Sequence, residues 1–149
     1  MIDPLTVRGK RLAALDYGNA RIGVAVCDEM HIVVSTRPVI KNDANVLKVL
    51  GDRFAMERTD VVLVGVPKLV QEDAETDIIK EIRVFIELLR ETLSIPVLET
   101  DEAFSSKRAR EMMFSTGMKK KRRREKGTKD QLAAAIILKD YLSELEMMP

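Results

Sequence analysis

Three acidic residues stand where three predicted segments end or begin. Asp16 closes an apolar strand, Glu102 follows another strand, and Asp130 lies in the first turn of an amphipathic helix. If folding brings these carboxylates together, they form an all-oxygen site of the kind that Mg²⁺ or Mn²⁺ prefers. Such ions polarise phosphate oxygens during phosphodiester hydrolysis, so the pattern indicates a candidate metal-dependent nuclease.

Asp16 and Asp130 also have simpler interpretations. Asp16 could cap the turn at Tyr17-Gly18 through local hydrogen bonds, as aspartate commonly does. Asp130 could be an ordinary acid of a first helical turn, with Thr128 and Gln131 forming a capping box. Against this, apolar residues recur four, seven and eleven positions after Asp130, which aims its carboxylate along the buried face of the helix.

Few other side chains could bind a metal. Glu102 belongs to an acidic group with Glu99 and Asp101 that could be solvated ahead of a helix, and Asp101 is a competing ligand. His31 is the only histidine and has no nitrogen or sulfur ligand near it in the sequence. Cys27 is the only cysteine, which excludes an internal disulfide, and its apolar surroundings predict a small core residue.

The positive charge is concentrated in one segment. Residues 107–129 contain eleven Lys or Arg and two Glu, a net charge of +9 in a chain whose net charge is +1. This asymmetry is typical of proteins that bind a phosphate backbone. A basic loop is expected at about residues 117–127. The predicted nucleic-acid contacts are Arg21, Lys107, Arg108, Lys119, Lys120, Lys121, Arg122, Arg123, Arg124, Lys126 and Lys129.

Length and composition predict one compact domain over residues 1–149. With 149 residues and 46% hydrophobic content, the chain can bury one substantial core, whereas two domains would each be too small. No apolar run is long enough for a membrane span, and the N-terminus lacks the apolar region of a secretory signal. We therefore expect a cytoplasmic protein with no membrane partner, as a monomer or a weak homodimer.

Apolar patterning predicts the element order β-β-β-α-β-α-β-α-α. Turn and capping residues separate the elements. The predicted strands are Arg11–Asp16, Arg21–Cys27, His31–Val39, Asp60–Val66 and Ile95–Leu98, and the predicted helices begin at Asn42 or Asp43, at Thr76 or Asp77, at Ser105 or Ser106, and at Thr128.

This order, with an acid-bearing helix near the C-terminus, resembles the ribonuclease H-like architecture. Within it the motifs resemble those of the YqgF/RuvX family. Four stretches carry the resemblance: Leu15-Asp16-Tyr17-Gly18 with Arg21-Ile22-Gly23-Val24-Ala25, Val64-Gly65-Val66-Pro67, Asp101-Glu102 with Ser105-Ser106 and Ala109, and Lys129-Asp130 with Ala133-Ala134-Ala135 and Ile137-Leu138.

The resemblance implies an α/β fold, with a five-stranded mixed sheet made of a three-strand antiparallel meander and two parallel strands, flanked by helices. It also implies that Asp16, Glu102 and Asp130 are the catalytic metal ligands of a nuclease that matures the 5′ end of the 16S rRNA precursor. Two positions depart from the family pattern. Ala103 replaces the usual Arg, and residues 68–73 replace a Gly/Ser-rich loop, so substrate affinity or choice could differ here.

The mechanistic hypothesis is that Asp16 bridges two Mg²⁺ ions about 4 Å apart, one activating water and the other stabilising the leaving oxygen. Glu102 and Asp130 each complete one coordination sphere, and Arg21 orients Asp16. The alternatives are a Holliday junction resolvase acting on four-way DNA, and a non-catalytic nucleic-acid-binding module. An actin-like ATPase is disfavoured, because 149 residues cannot supply the two domains that enclose its nucleotide.

Overall fold

The computed structural model describes residues 3–67, 76–102, 108–109, 111–113, 119 and 127–149. Four helices and five strands lie within these ranges, and residues 108–109 and 111–113 are also helical. In chain order the elements are α1 (Pro4–Val7), β1 (Leu12–Asp16), β2 (Arg21–Cys27), β3 (Val34–Lys41), α2 (Val46–Glu57), β4 (Val61–Pro67), α3 (Asp77–Thr92), β5 (Val97–Glu102) and α4 (Thr128–Glu146).

The five strands form one mixed sheet in the order β3-β2-β1-β4-β5. β1 pairs with β2, and β2 with β3, in antiparallel fashion, whereas β4 is parallel to both β1 and β5. The predicted ribonuclease H-like sheet, a meander followed by two parallel strands, is therefore confirmed. β1 and β4 have continuous apolar runs because both faces of these central strands are covered.

Helices cover the sheet on both faces. α2 and α3 pack on one face over a core that includes Leu15, Ile22 and Val64. α4 packs on the other face over Leu12, Ala14 and neighbouring apolar residues. Because successive side chains of a strand alternate between faces, Asp16 lies on the α4 face with Leu12 and Ala14.

The third strand differs from its predicted bounds at both ends. The predicted strand runs from His31 to Val39, with Arg37-Pro38 breaking its apolar run, whereas β3 runs from Val34 to Lys41. It begins late because Asp28 Oδ1 accepts hydrogen bonds from the backbone N–H groups of Ile32 and Val33, each at 3.0 Å, which holds them in a loop. It continues through Pro38 because β3 is an edge strand, where a residue without an N–H group is tolerated.

Three further details differ from the sequence predictions. The short helix α1 is not predicted by the apolar pattern. β5 extends to Glu102, so this acid is the last residue of the strand instead of following it. α4 has Gly127 as its N-cap in place of Thr128, and the Gln131 amide donates to the Arg37 carbonyl oxygen at 2.9 Å, so the predicted capping box does not form.

The two remaining predictions that concern single residues can be compared with the structure. Cys27 is buried, and this burial raises the pKa of its thiol to about 11, which suits a core residue and not a reactive one. The His31 ring lies 2.8 Å from the Lys10 carbonyl oxygen through Nε2. Within the described part of the chain, no helix is long and apolar enough to cross a membrane.

Candidate active site

The three predicted acids lie at one end of the sheet on the α4 face. Asp16 ends β1, Glu102 ends β5, and Asp130 occupies the first turn of α4. β1 and β5 both run parallel to β4, so their carboxyl ends meet at the same edge. Folding thus brings three acids to the same end of the sheet, although Glu102 lies 86 positions after Asp16 and Asp130 lies 28 positions after Glu102.

Asp16 is the buried member of this acidic group. Only 8% of the residue is exposed, although carboxylates are rarely buried without a partner. Burial first, and then the negative charges of Glu102 and Asp130, together raise its pKa from 3.8 to about 7, while the positive charge of Lys129 acts in the opposite direction. Asp16 therefore sits in a strongly negative environment near neutral pH, which a cation would relieve.

Glu102, and not its neighbour Asp101, faces this site. A Cβ atom added at Gly65 would lie 3.5 Å from Glu102 Oε2 and 2.6 Å from the Ile137 side chain of α4, which places Glu102 on the α4 face. Asp101 precedes it in the same strand and is exposed on the opposite face. The structure thus separates the two candidate acids that the sequence left open.

Asp130 is brought close to the sheet by a glycine. A Cβ atom at Gly23 would overlap the Asp130 carbonyl oxygen and lie 2.7 Å from its carbonyl carbon. Gly23 pairs with Asp16 in the β1–β2 register, so the start of α4 rests on the strand beside Asp16. Only a residue without a side chain permits this approach.

Arg21 contacts Asp130 and not Asp16. Its Nε donates to Asp130 Oδ2 at 3.2 Å, with 38% of the Arg21 side chain and 17% of the Asp130 side chain exposed. The sequence predicts that Arg21 orients Asp16, whereas the structure pairs Arg21 with Asp130. Arg21 begins β2, and the antiparallel register places it beyond the end of β1, beneath the start of α4.

The side chains as they stand do not enclose a metal ion. Over the described ranges, no group of three or more His, Cys, Asp or Glu residues is close enough together to do so. Asp130 is instead engaged by Arg21, as expected for carboxylates that repel one another. The donor set itself, a desolvated Asp16 with the carboxylates of Glu102 and Asp130, has the oxygen chemistry that suits Mg²⁺ or Mn²⁺.

Three of the predicted phosphate contacts on the basic segment can be located. Lys129 lies close enough to Asp16 to act on its pKa, and Lys119 is exposed. Arg108 forms a two-pronged ion pair with Asp140 of α4, at 2.5 and 3.3 Å, so much of its charge is already balanced. The other predicted contacts lie outside the described residues: Lys107, Lys120, Lys121, Arg122, Arg123, Arg124 and Lys126. Most of the loop at residues 117–127, Ala103 and residues 68–73 also lie outside them.

The strand order and the layers of helices define a ribonuclease H-like protein. The fowlpox virus resolvase, solved with Holliday junction DNA, superposes with a TM-score of 0.54 at 13% identity, covering 91% of this chain and 98% of that one. RuvC of T. thermophilus, solved with a Holliday junction substrate, gives 0.51 at 16% identity, covering 91% and 96%. At these identities the likeness concerns the fold alone.

The chain belongs to the RuvX family, whose model is described as a Holliday junction resolvase and matches residues 10–144. A relative from Flavobacterium psychrophilum, named "Putative pre-16S rRNA nuclease", is 36% identical over 89% of this chain and 96% of its own. A relative from Christiangramia forsetii with the same name is 38% identical over 90% and 98%. Family and relatives together support a nuclease role for the chain.

Proposed function

We propose that this chain is a divalent-metal-dependent endonuclease that hydrolyses phosphodiester bonds in structured RNA. The observation that carries the proposal is the burial of Asp16 beside two other carboxylates, which raise its pKa. A buried carboxylate with like charges beside it destabilises a fold, so its presence at the edge of the sheet is best explained by a cation that it serves to bind.

Asp16, Glu102 and Asp130 are the residues that would hold the metal. When bound, Mg²⁺ or Mn²⁺ supplies polarisation of the phosphate and activation of the attacking water. Asp16 provides a desolvated carboxylate at the centre of the site, and Glu102 approaches it from β5. Asp130 would turn from Arg21 toward the cation, which frees the guanidinium for the substrate. Lys129 adds positive charge beside the carboxylates.

The substrate we propose is the 16S rRNA precursor, cleaved at its 5′ end. The names of relatives that match almost the whole chain support this choice. The concentration of positive charge in residues 107–129 suits contact with the phosphate backbone of a folded RNA. Such contacts position the backbone and do not read its sequence.

The test is cleavage of an RNA that spans the 5′ end of 16S rRNA and its leader, in Mg²⁺ and in chelator. We expect cleavage in Mg²⁺ alone, and its loss in Asp16→Asn and Glu102→Gln while RNA binding persists. Asp101→Asn is the matched control, because Asp101 adjoins Glu102 but faces away from the site. Undiminished cleavage by Asp16→Asn, or equal loss in Asp101→Asn, would exclude the proposed site.

A second candidate is resolution of four-way DNA, which the description of the matched family favours. A resolvase must cut two strands, so it requires two active sites in a symmetric dimer. Four-way DNA is therefore included beside the RNA in the same assay, with the mass of the protein measured by sedimentation. Paired cuts in the DNA by a stable dimer, with no RNA cleavage, would replace the first proposal with the second. Binding without any cleavage would instead identify a non-catalytic binding module.

A further inference from the structure

Two positively charged residues, Arg21 of β2 and Lys41 of β3, lie opposite each other on adjacent strands near the acidic site. The β2–β3 register pairs Arg21 directly with Lys41. β2 is antiparallel to β1, so its beginning lies at the end of the sheet where Asp16 is found. Like charges at directly opposed positions destabilise a sheet, and an anion bound between them would remove this cost.

Both side chains lie on the α4 face of the sheet. Ile22 and Ile40, the adjacent pair, belong to the core beneath α2 and α3, so their neighbours Arg21 and Lys41 point to the other side. Val39, which shares a face with Lys41, approaches within 2.7 Å of a Cβ built at Gly127, just before α4. The pair is therefore on the same side as the three carboxylates.

The position of Lys41 is tied to the turn that follows Asp16. Asn42, the next residue, donates its backbone N–H to the Ala20 carbonyl oxygen at 3.0 Å. Its side-chain amide donates to the Gly18 carbonyl oxygen at 2.8 Å in a half-buried position. These two bonds fix the end of β3 against the Asp16 turn, so Lys41 is held at a defined place beside the site.

The charge of Lys41 is not used within the described structure. Arg21 is engaged through Nε with Asp130, which leaves its two terminal amino groups. Lys41 is exposed, and no ion pair involves it within the described part of the chain. Two cationic residues thus occupy directly opposed positions on the α4 face, one of them in contact with Asp130, and a phosphate group between them would be neutralised by both.

We propose that Lys41 and Arg21 together bind a backbone phosphate of the nucleic acid next to the one that is cleaved. This inference rests on the proposed function. It adds a path for the substrate, which would run from the three carboxylates over the ends of β2 and β3. Lys41 belongs to β3 and not to the basic segment at residues 107–129, so its contact would add to those of that segment.

The experiment measures binding of a fluorescent RNA hairpin by anisotropy at several salt concentrations, in chelator, with Asp16→Asn as the background. Each phosphate contact contributes roughly 0.7–0.9 to the slope of log K against log salt. We expect Lys41→Gln to weaken binding several-fold and to reduce the slope by about one contact. Lys48→Gln is the matched control, because Lys48 is 80% exposed and paired with Asp52 on α2, on the opposite face.

Cleavage kinetics provide a second measurement. Lys41→Gln should raise KM and leave kcat nearly unchanged, whereas a merely structural defect would lower the melting temperature as well. An unchanged salt slope in Lys41→Gln, in a protein that does cleave RNA, would overturn the phosphate contact and leave the proposed function standing. A reduced slope in a protein that never cleaves would overturn the nuclease and keep the contact.

Discussion

Asp16 combines two properties that oppose each other. It ends a strand whose other residues are all buried, and it carries a charge that burial makes unfavourable. Glu102 and Asp130 add to the unfavourable electrostatic energy instead of reducing it. Functional sites commonly hold such destabilising groups because ligand binding needs them. The stability of this fold should therefore depend on the protonation of one side chain.

The raised pKa of Asp16 predicts an unusual dependence of stability on pH. Its pKa is about 7 in the folded chain and 3.8 ordinarily, so the native state binds the extra proton between these values. The free energy of unfolding should therefore fall as pH rises from about 4 to about 7. At most, on the order of 4 kcal/mol is lost, since one pKa unit corresponds to about 1.4 kcal/mol. Thermal unfolding in chelator across this range measures the effect.

Asp16→Asn provides the control for this pH dependence. The amide has the same shape and no charge, so the variant should be more stable than the parent chain at pH 8 and nearly equal to it at pH 4. Asp101→Asn, which changes an exposed acid on the other face, should reproduce the parent curve. Parallel curves for the parent chain and Asp16→Asn would mean that Asp16 is not the group responsible.

Magnesium binding should depend on the same proton. A carboxylate binds a cation only when it is deprotonated, so binding at Asp16 must release its proton below pH 7. We expect the affinity for Mg²⁺ to fall roughly tenfold for each pH unit below about 7 and to level off above it. Calorimetry in buffers of different ionisation enthalpy measures both the affinity and the proton released. A flat affinity from pH 5.5 to 8 would contradict a role for Asp16 as ligand.

At the scale of elements, the contact between β2 and α4 decides whether the site can assemble. Gly23 lets the backbone of Asp130 lie directly on β2, and backbone atoms cannot move aside as a side chain can. Gly23→Ala should displace the start of α4 and cost about 1–3 kcal/mol of stability, as overpacking does. Mg²⁺ affinity should fall by a larger factor than stability alone explains, because Asp130 moves away from Asp16. Calorimetry and thermal unfolding measure the two effects.

Gly51→Ala is a matched control for that substitution. Gly51 lies within α2, where an added Cβ would meet only Leu93 Cδ2 at an ordinary 3.6 Å. Alanine forms helix better than glycine, so this variant should gain up to about 1 kcal/mol without affecting Mg²⁺ binding. If Gly23→Ala were equally harmless, the close approach of α4 to β2 would not control the site.

Local sequence patterns were sufficient to predict most of the elements. β2 occupies its predicted range, and α3 begins after its predicted cap, Thr76, whose hydroxyl accepts the Ile79 N–H. The errors arise where tertiary structure changes the meaning of a residue. Pro38 reads as a strand breaker, yet it stands within β3 because that strand is at the edge of the sheet.

The arrangement of the site could be predicted only in part for a similar reason. The three acids could be selected because each stands at the end of an element. The partner of Arg21 and the pairing of Lys41 depend on strand register, which the spacing along the chain does not determine. Gly23 gives a weak signal, since glycine inside a strand often indicates a close backbone approach.

At the scale of the whole molecule, charge is separated along the chain. Residues 107–129 carry +9, and the remaining residues carry 14 basic and 22 acidic side chains, a net charge of −8. The net negative charge of the remaining residues repels a polyanion, whereas the basic segment attracts it. Such a distribution directs association toward one orientation, and it accelerates association at low salt. The net charge of +1 does not reveal this property.

The location of the positive charges, and not the net charge of the protein, should therefore determine the rate at which RNA associates. Two triple variants test this. The first replaces three residues of the basic segment by Gln: Lys120, Lys121 and Arg122. The second replaces three exposed lysines elsewhere by Gln: Lys48, Lys80 and Lys139. Both triple variants have the same net charge. We expect the first to lower the association rate about tenfold or more at 50 mM salt, since steering contributes on this scale.

Stopped-flow fluorescence with a labelled RNA hairpin measures these rates. The difference between the two variants should shrink as salt rises to about 200 mM, because screening shortens the range of the field. The second variant should associate at nearly the parental rate, since its lysines belong to α2, α3 and α4 and not to the basic segment. Equal slowing in both variants would mean that net charge controls the encounter and that the basic segment has no separate role in capturing the substrate.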